Sequence, residues 1–187
     1  MTVVRTAIPE VLVLEPQVLH DARGSFFETY HAVKYAEAGI HDTFVQDNQS
    51  RSRRGVLRGL HAQRLRPQAK LVRVLTGEIF DVAADVRRGS PTFGRWVGLT
   101  LSAENHQQCY VPAGFLHGFC VLSAFAEVEY KCSEVYVPGD EIGVVWNDPT
   151  LGISWPVDEP ILSPKDASLP RLDALLLQLP VWQPPRP

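Results

Sequence analysis

The chain has 187 residues, of which 45% are hydrophobic and 21% charged, and a formal net charge of −3. These values describe a soluble globular protein long enough to bury a core, and they exclude a broad attraction to nucleic acid or to an anionic membrane. Fifteen prolines disfavour long helices and predict many turns.

The N-terminal segment MTVVRTAIPEVLVLEP is interrupted by Arg5, Pro9 and Glu10. It reads as neither a signal peptide nor a membrane span. Short apolar runs then follow in order: VLVLEP, SFFETY, TFVQDN, GVLRGLHAQ, KLVRVLTG, EIFDVAADV, RWVGLTL, QCYVPAG, HGFCVL, AEVEYKCSEVYV and IGVVW. Turn residues separate them at Gly77, Gly89, Pro91, Gly114 and Gly139. About ten strands at this spacing predict an all-β sandwich or barrel in one domain over residues 1–187. Two short helices are expected. HAVKYAEAGI stops at Gly39, and LPRLDALLLQL carries Leu172, Leu175 and Leu176 at helical spacing. A short helix and loose tail are expected from about 171, ending in QPPRP.

Alternation assigns faces. In AEVEYKCS, Glu127, Glu129 and Lys131 share one side, so Tyr130 points inward with Ala126, Val128 and Cys132. In EIFDVAADV, Ile79, Asp81, Ala83 and Asp85 share a face. Two carboxylates there read as the wet side of the strand, with a polar lumen as the alternative. Cys109, Cys120 and Cys132 show no paired spacing and read as reduced thiols, at least two of them buried, in a cytoplasmic protein. Arg51, Arg53 and Arg54 read as a solvated hairpin end, with an anion site as the sharper alternative.

His61 lies in phase with Leu57, Gly59 and Gln63. On strand pattern alone it reads as a structural histidine. Lys70 begins the next strand. A histidine that can take a proton near neutral pH and an ammonium that can stabilise an enolate oxygen suit chemistry beside a ketone. Tyr130, facing inward, supplies an acid opposite that base. The motif P-x-G-x-x-H over Pro112, Gly114 and His117 resembles an element of cupin jelly rolls. Metal-binding cupins also carry an earlier H-x-H, where this chain reads His61, Ala62, Gln63. That departure argues against a metal.

Taken in order, TAIPEVLVLEPQV, DARGSFFETY, FVQDNQS, GVLRGLHAQ, KLVRVLTGEIFDVAADVRRGSPTFGRWVG, LSAEN, VPAGFLHGF, YKCSEVY, WNDPTLGISWP and LSPKDASLP resemble the dTDP-4-dehydrorhamnose 3,5-epimerase family over nearly the whole chain. The resemblance implies a cupin-type jelly roll, a homodimer, no cofactor and no metal, and a dTDP-4-keto-6-deoxyhexose substrate inverted at carbons 3 and 5. It implies His61 as base, Asp166 as the carboxylate that orients it, Lys70 as enolate-side cation and Tyr130 as opposing acid. It places Tyr136 against the nucleotide base and Arg58 and His117 near the sugar and diphosphate, with Gln63 also among the binding residues. Arg23, Phe26, Glu28, Gln46 and Asn48 become nucleotide contacts, some lent by the partner subunit, and Glu141 and Lys165 further binding positions. Strict alternation puts Arg58 and His61 on opposite faces, unless Gly59 carries a bulge or Arg58 reaches round the strand edge.

Three positions depart from the family pattern. Ala62 stands where an aromatic is usual, Ala69 where Gly is usual, and Cys109-Tyr110 where Leu-Trp is frequent. The missing aromatic predicts an altered pocket beside the base. The alternatives to a two-carbon epimerase are a single-carbon epimerase, a metal-dependent cupin and a nucleotide-sugar binder without turnover.

Overall fold

The computed structural model describes residues 1–184. The expected looseness of the tail at residues 185–187 lies outside the described residues. Among the described residues thirteen strands are present: β1 (Thr2–Arg5), β2 (Leu12–Glu15), β3 (Leu19–Asp21), β4 (Gly24–Phe26), β5 (Gln46–Arg53), β6 (Leu57–Gln63), β7 (Lys70–Thr76), β8 (Glu78–Asp85), β9 (Trp96–Ser102), β10 (Gln108–Val111), β11 (Phe115–Val121), β12 (Phe125–Cys132) and β13 (Glu141–Gly143). A six-stranded sheet runs β1-β2-β10-β7-β12-β5 and a five-stranded sheet β13-β6-β11-β8-β9, every named pairing being antiparallel. This is the expected jelly roll. β3 and β4 form a separate two-stranded ribbon. The periodicity missed β1 and β3, which are short and largely exposed.

Apolar side chains form three layers. Val72 and Val74 of β7 and Ala126 and Val128 of β12 meet Ile79, Ala83, Phe115 and Phe119 of the opposite sheet in the barrel interior. Outside the five-stranded sheet, Leu60, Val82, Ala84 and Leu116 are covered by Val144, Leu151, Leu172, Leu175 and Leu179 from the C-terminal segment. Outside the six-stranded sheet, Leu12, Leu14, Leu71 and Tyr110 are covered by Tyr35 and Ile40, in and just after helix α1 (Ala32–Glu37). That helix ends as expected, with Gly39 at φ +92 and its N–H donating to the Ala36 carbonyl.

Two expectations are corrected. Asp81 and Asp85 face the interior with Ile79 and Ala83 and are fully buried. The C-terminal segment occupies the outer face of β8, so no side of that strand is wet. Each carboxylate is paired instead. Asp85 accepts from Arg87 at 2.7 Å, Ser90 at 2.5 Å and Thr92 at 2.6 Å. The second correction concerns the C-terminal helix, which is one 3₁₀ turn over Leu172–Leu175. At three residues per turn Leu172 and Leu175 align and are buried, while Leu176 is left exposed. The Leu172 N–H donates to buried Asp148 at 2.9 Å.

The bulge at Gly59 is real. His61 pairs with His117, and Arg58 with Phe119. Three residue steps on β6 therefore match two on β11. The extra residue resets the phase and turns both Arg58 and His61 toward one cleft. Backbones approach so closely here that a Cβ on Gly59 would lie 2.7 Å from the Gly118 Cα and 2.7 Å from the His117 carbonyl oxygen. Gly59 also holds φ +118, a region that disfavours side chains.

Candidate active site

A cleft of about 370 Å³ opens between the sheets, lined by Arg58, His61, Lys70, His117, Tyr130 and Asp166 among others. A second cleft of about 250 Å³ adjoins it and shares His61, Lys70 and Tyr130. The two sheets contribute different chemistry. His61 and His117 stand side by side on β6 and β11 of one sheet. Lys70 and Tyr130 belong to β7 and β12 of the other, where Lys70 pairs with Cys132 and Tyr130 with Val72. The inward turn of Tyr130 holds, and it packs against the interior layer.

His61 Nε2 lies 2.7 Å from Asp166 Oδ1. Asp166 sits in a short helix, α2 (Pro164–Ala167), whose cap Ser163 accepts the Asp166 N–H at 3.0 Å. The S-P-x-D order over Ser163 to Asp166 supports that turn, with Pro at the first helical position. Burial pushes the Asp166 carboxyl upward, but the bond and charge of His61, with Ser163 and the Gly59 backbone, outweigh it and hold the group below its ordinary value. Asp166 therefore stays ionised and fixes the ring. His61 Nδ1 faces Glu141 Oε1 at 3.3 Å.

Burial pushes the Tyr130 phenol up, with Cys132 and Glu141 adding to the rise and Arg58 opposing it. The phenol is thus protonated at neutral pH. Burial pushes the Lys70 ammonium down, against the raising influence of Cys132, Glu141 and Asp81. Its Nζ lies 5.9 Å from the Tyr130 ring centre, and it makes no ion pair among the described residues. His117 Nε2 lies 2.7 Å from Asp81 Oδ1, both side chains being buried. Asp81 was missed as a site residue. Its signal was available, since it alternates in phase with Ile79 and Ala83 on the face found to be interior.

Arg58 donates through Nε to Ser52 Oγ at 3.0 Å, and among the described residues its terminal nitrogens have no partner, so they can meet an anion. Lys165 pairs with Glu141. In the second cleft, Gln46 accepts the Tyr136 N–H at 2.8 Å and donates to Asn48 at 3.0 Å. Tyr136 is 48% exposed, so a ring face is open for stacking. Gln63 is buried and its amide is committed to backbone, donating to the carbonyls of Arg66 and Val135 and accepting from Val137. It shapes the rim loops on either side of Tyr136. Ala62 packs in the layer outside the sheet and also borders the second cleft, so the missing aromatic alters that rim and not the floor beneath His61.

Arg23, Phe26 and Glu28 are not brought to either cleft within this chain. Arg23 and Phe26 line a separate groove on the β3–β4 ribbon, where Phe26 is 69% exposed. Arg23 pairs with Asp21, and Glu28 pairs with Lys34. Among the described residues no group of three His, Cys, Asp or Glu side chains is placed to hold a metal ion, and no helix is long and apolar enough to cross a membrane. The three cysteines are free and buried.

A family model described as dTDP-4-dehydrorhamnose 3,5-epimerase matches residues 5–174. A dTDP-4-dehydrorhamnose 3,5-epimerase of Pseudomonas aeruginosa is 57% identical over 168 residues, which are 89% of this chain and 93% of that one. The crystal structure of a dTDP-6-deoxy-D-glucose-3,5-epimerase of Legionella pneumophila, in complex with dTDP-4-keto-L-rhamnose, superposes with a TM-score of 0.94 at 51% identity and covers 97% of this chain and 98% of its own. A dTDP-4-dehydrorhamnose 3-epimerase of Streptomyces niveus is 43% identical over 166 residues, 88% of this chain and 78% of that one. With the jelly roll, the two-walled cleft and near-complete coverage in agreement, this chain belongs to the dTDP-4-dehydrorhamnose 3,5-epimerase family.

Proposed function

We propose that this chain epimerises carbons 3 and 5 of dTDP-4-dehydro-6-deoxy-D-glucose to give dTDP-4-dehydro-L-rhamnose. The observation that carries this reading is the placement of His61 on one sheet and Tyr130 on the other, with a cleft between them. A hexose ring held there presents one face to each. His61, held through Nε2 by ionised Asp166, takes a proton from a carbon beside the ketone. The enolate oxygen that forms is stabilised by Lys70 and by the His117–Asp81 pair, an effect worth roughly 2.7–4 kcal/mol per well-placed donor. Tyr130 returns a proton to the opposite face, which inverts the carbon. Arg58 suits the diphosphate, and Tyr136 suits the base.

The exposed ribbon of Arg23 and Phe26, which lines neither cleft of its own chain, fits a homodimer in which each chain lends this arm to its partner's nucleotide site. A single-carbon epimerase is the second reading. It is favoured by the Streptomyces niveus relative, whose name specifies carbon 3 alone. His61→Ala tests the main reading. It is expected to abolish turnover while keeping the fold and dTDP binding; full activity in that variant refutes His61 as the base.

A further inference from the structure

Each inversion of the kind proposed above leaves His61 with an extra proton and Tyr130 without one. A second inversion, at the other carbon or in the next turnover, needs His61 emptied and Tyr130 refilled from water first. Two carboxylates touch its ring, and they differ. Asp166 holds Nε2 at 2.7 Å and its side chain is 6% exposed. Glu141, on β13, lies 3.3 Å from Nδ1 with its side chain 17% exposed, and its other oxygen pairs with Lys165, which is 57% exposed at the rim. Nδ1 is the nitrogen that Asp166 leaves free to collect the substrate's proton. Register keeps Glu141 there: it pairs with Gln63, two residues beyond His61, and Gly143 pairs with His61 itself.

We propose that Glu141 is the proton exit of His61: between inversions the Nδ1–H bond breaks, an O–H bond forms on Glu141 Oε1, and the proton passes from there to water at the rim of the second cleft. Lys165 holds the carboxylate in line and opens the way outward. Asp166 does not compete, because it is enclosed and held ionised by His61 and its own helix cap. The relay is needed only if the chain epimerises, and so rests on that reading.

Glu141→Gln keeps the shape of the side chain but cannot take up the proton. Positioned proton transfer typically contributes 10²–10⁴-fold. At low buffer the variant is therefore expected to raise the ratio of singly to doubly inverted product by about tenfold or more. Rising concentrations of imidazole, which can carry the proton in place of the carboxylate, should bring that ratio back toward the wild-type value. A carboxylate that merely positioned His61 or bound substrate would not be rescued by buffer. If the wild type inverts only one carbon, the same buffer rescue is read in kcat.

A wild-type measurement guards against a variant that fails to fold. Substrate deuterated at carbons 3 and 5, turned over in ordinary water, should give product without label. Label retained in the product, or a Glu141→Gln variant insensitive to buffer while the wild type inverts normally, overturns the relay. A wild type that neither inverts the substrate nor exchanges its carbon-bound protons instead removes the epimerase reading, and the relay with it.

Discussion

Substituting Gly59 by alanine should damage the fold and the site together. The added Cβ would lie 2.7 Å from both the Gly118 Cα and the His117 carbonyl oxygen, and the residue would hold φ +118. Strained backbone of this kind costs of order 1–3 kcal/mol, and forced overpacking typically costs a further 1–3 kcal/mol. Gly89→Ala is the matched control. Gly89 sits at φ +81 with nothing within 4 Å of an added Cβ, so only about 1–2 kcal/mol of backbone strain applies. Gly59→Ala should therefore be less stable than Gly89→Ala by about 1–3 kcal/mol, or roughly 2–12 °C in Tm for a chain of this size. Urea unfolding of both variants, with slopes compared, measures the difference. Relief of the clash also moves Arg58 and His61, so kcat/KM should fall by about a hundredfold, the cost of an ångström-scale misplacement. Equal stability and equal activity in the two variants would refute the claim that this close approach sets the phase of β6.

Other variants separate the roles of the cleft residues. Tyr130→Phe leaves the base but removes the opposing acid, so carbon-bound protons should still exchange with heavy water while inversion is lost; inversion at the wild-type rate would remove Tyr130 from the mechanism. Lys70→Met should lower kcat yet stabilise the free protein at neutral pH by about 0.5–2 kcal/mol, a trade of activity for stability. The sign follows from the lowered Lys70 pKa, since the charged form is disfavoured on folding below that value. The difference should shrink as pH rises toward 10.5, where the unfolded lysine also becomes neutral. Asp166 behaves oppositely. Its folded pKa is depressed below 3.8, so its contribution is complete above that value and is lost as pH falls through the depressed one. The stability gap between the wild type and Asp166→Asn should stay constant from neutral pH to about 5 and narrow only in stronger acid; a gap that closes near pH 6 would contradict the assignment.

How far the molecule could be read from its residues depended on what alternation can express. Tyr130 inside and Glu127, Glu129 and Lys131 on the other side follow directly from a period of two. So does the shared face of Ile79, Asp81, Ala83 and Asp85. That neither face is wet does not follow, because it is decided by residues 144–179 folding back over β8. Arg58 escaped alternation because one extra residue at Gly59 shifts the phase. The 3₁₀ turn at Leu172 escaped because Leu172 and Leu175 satisfy the spacing of either helix, and only the exposure of Leu176 separates them. His61, Lys70, Tyr130 and Asp166 come from four separate segments and line one cleft, a gathering that alternation cannot express. The ribbon of Arg23 and Phe26 lines a groove of its own, apart from both clefts.

Proton NMR of dTDP-4-dehydro-6-deoxy-D-glucose turned over in heavy water tests the central claim most directly. The account predicts solvent deuterium at carbons 3 and 5, with both carbons inverted in the product. Substrate recovered with no deuterium at either carbon would contradict it.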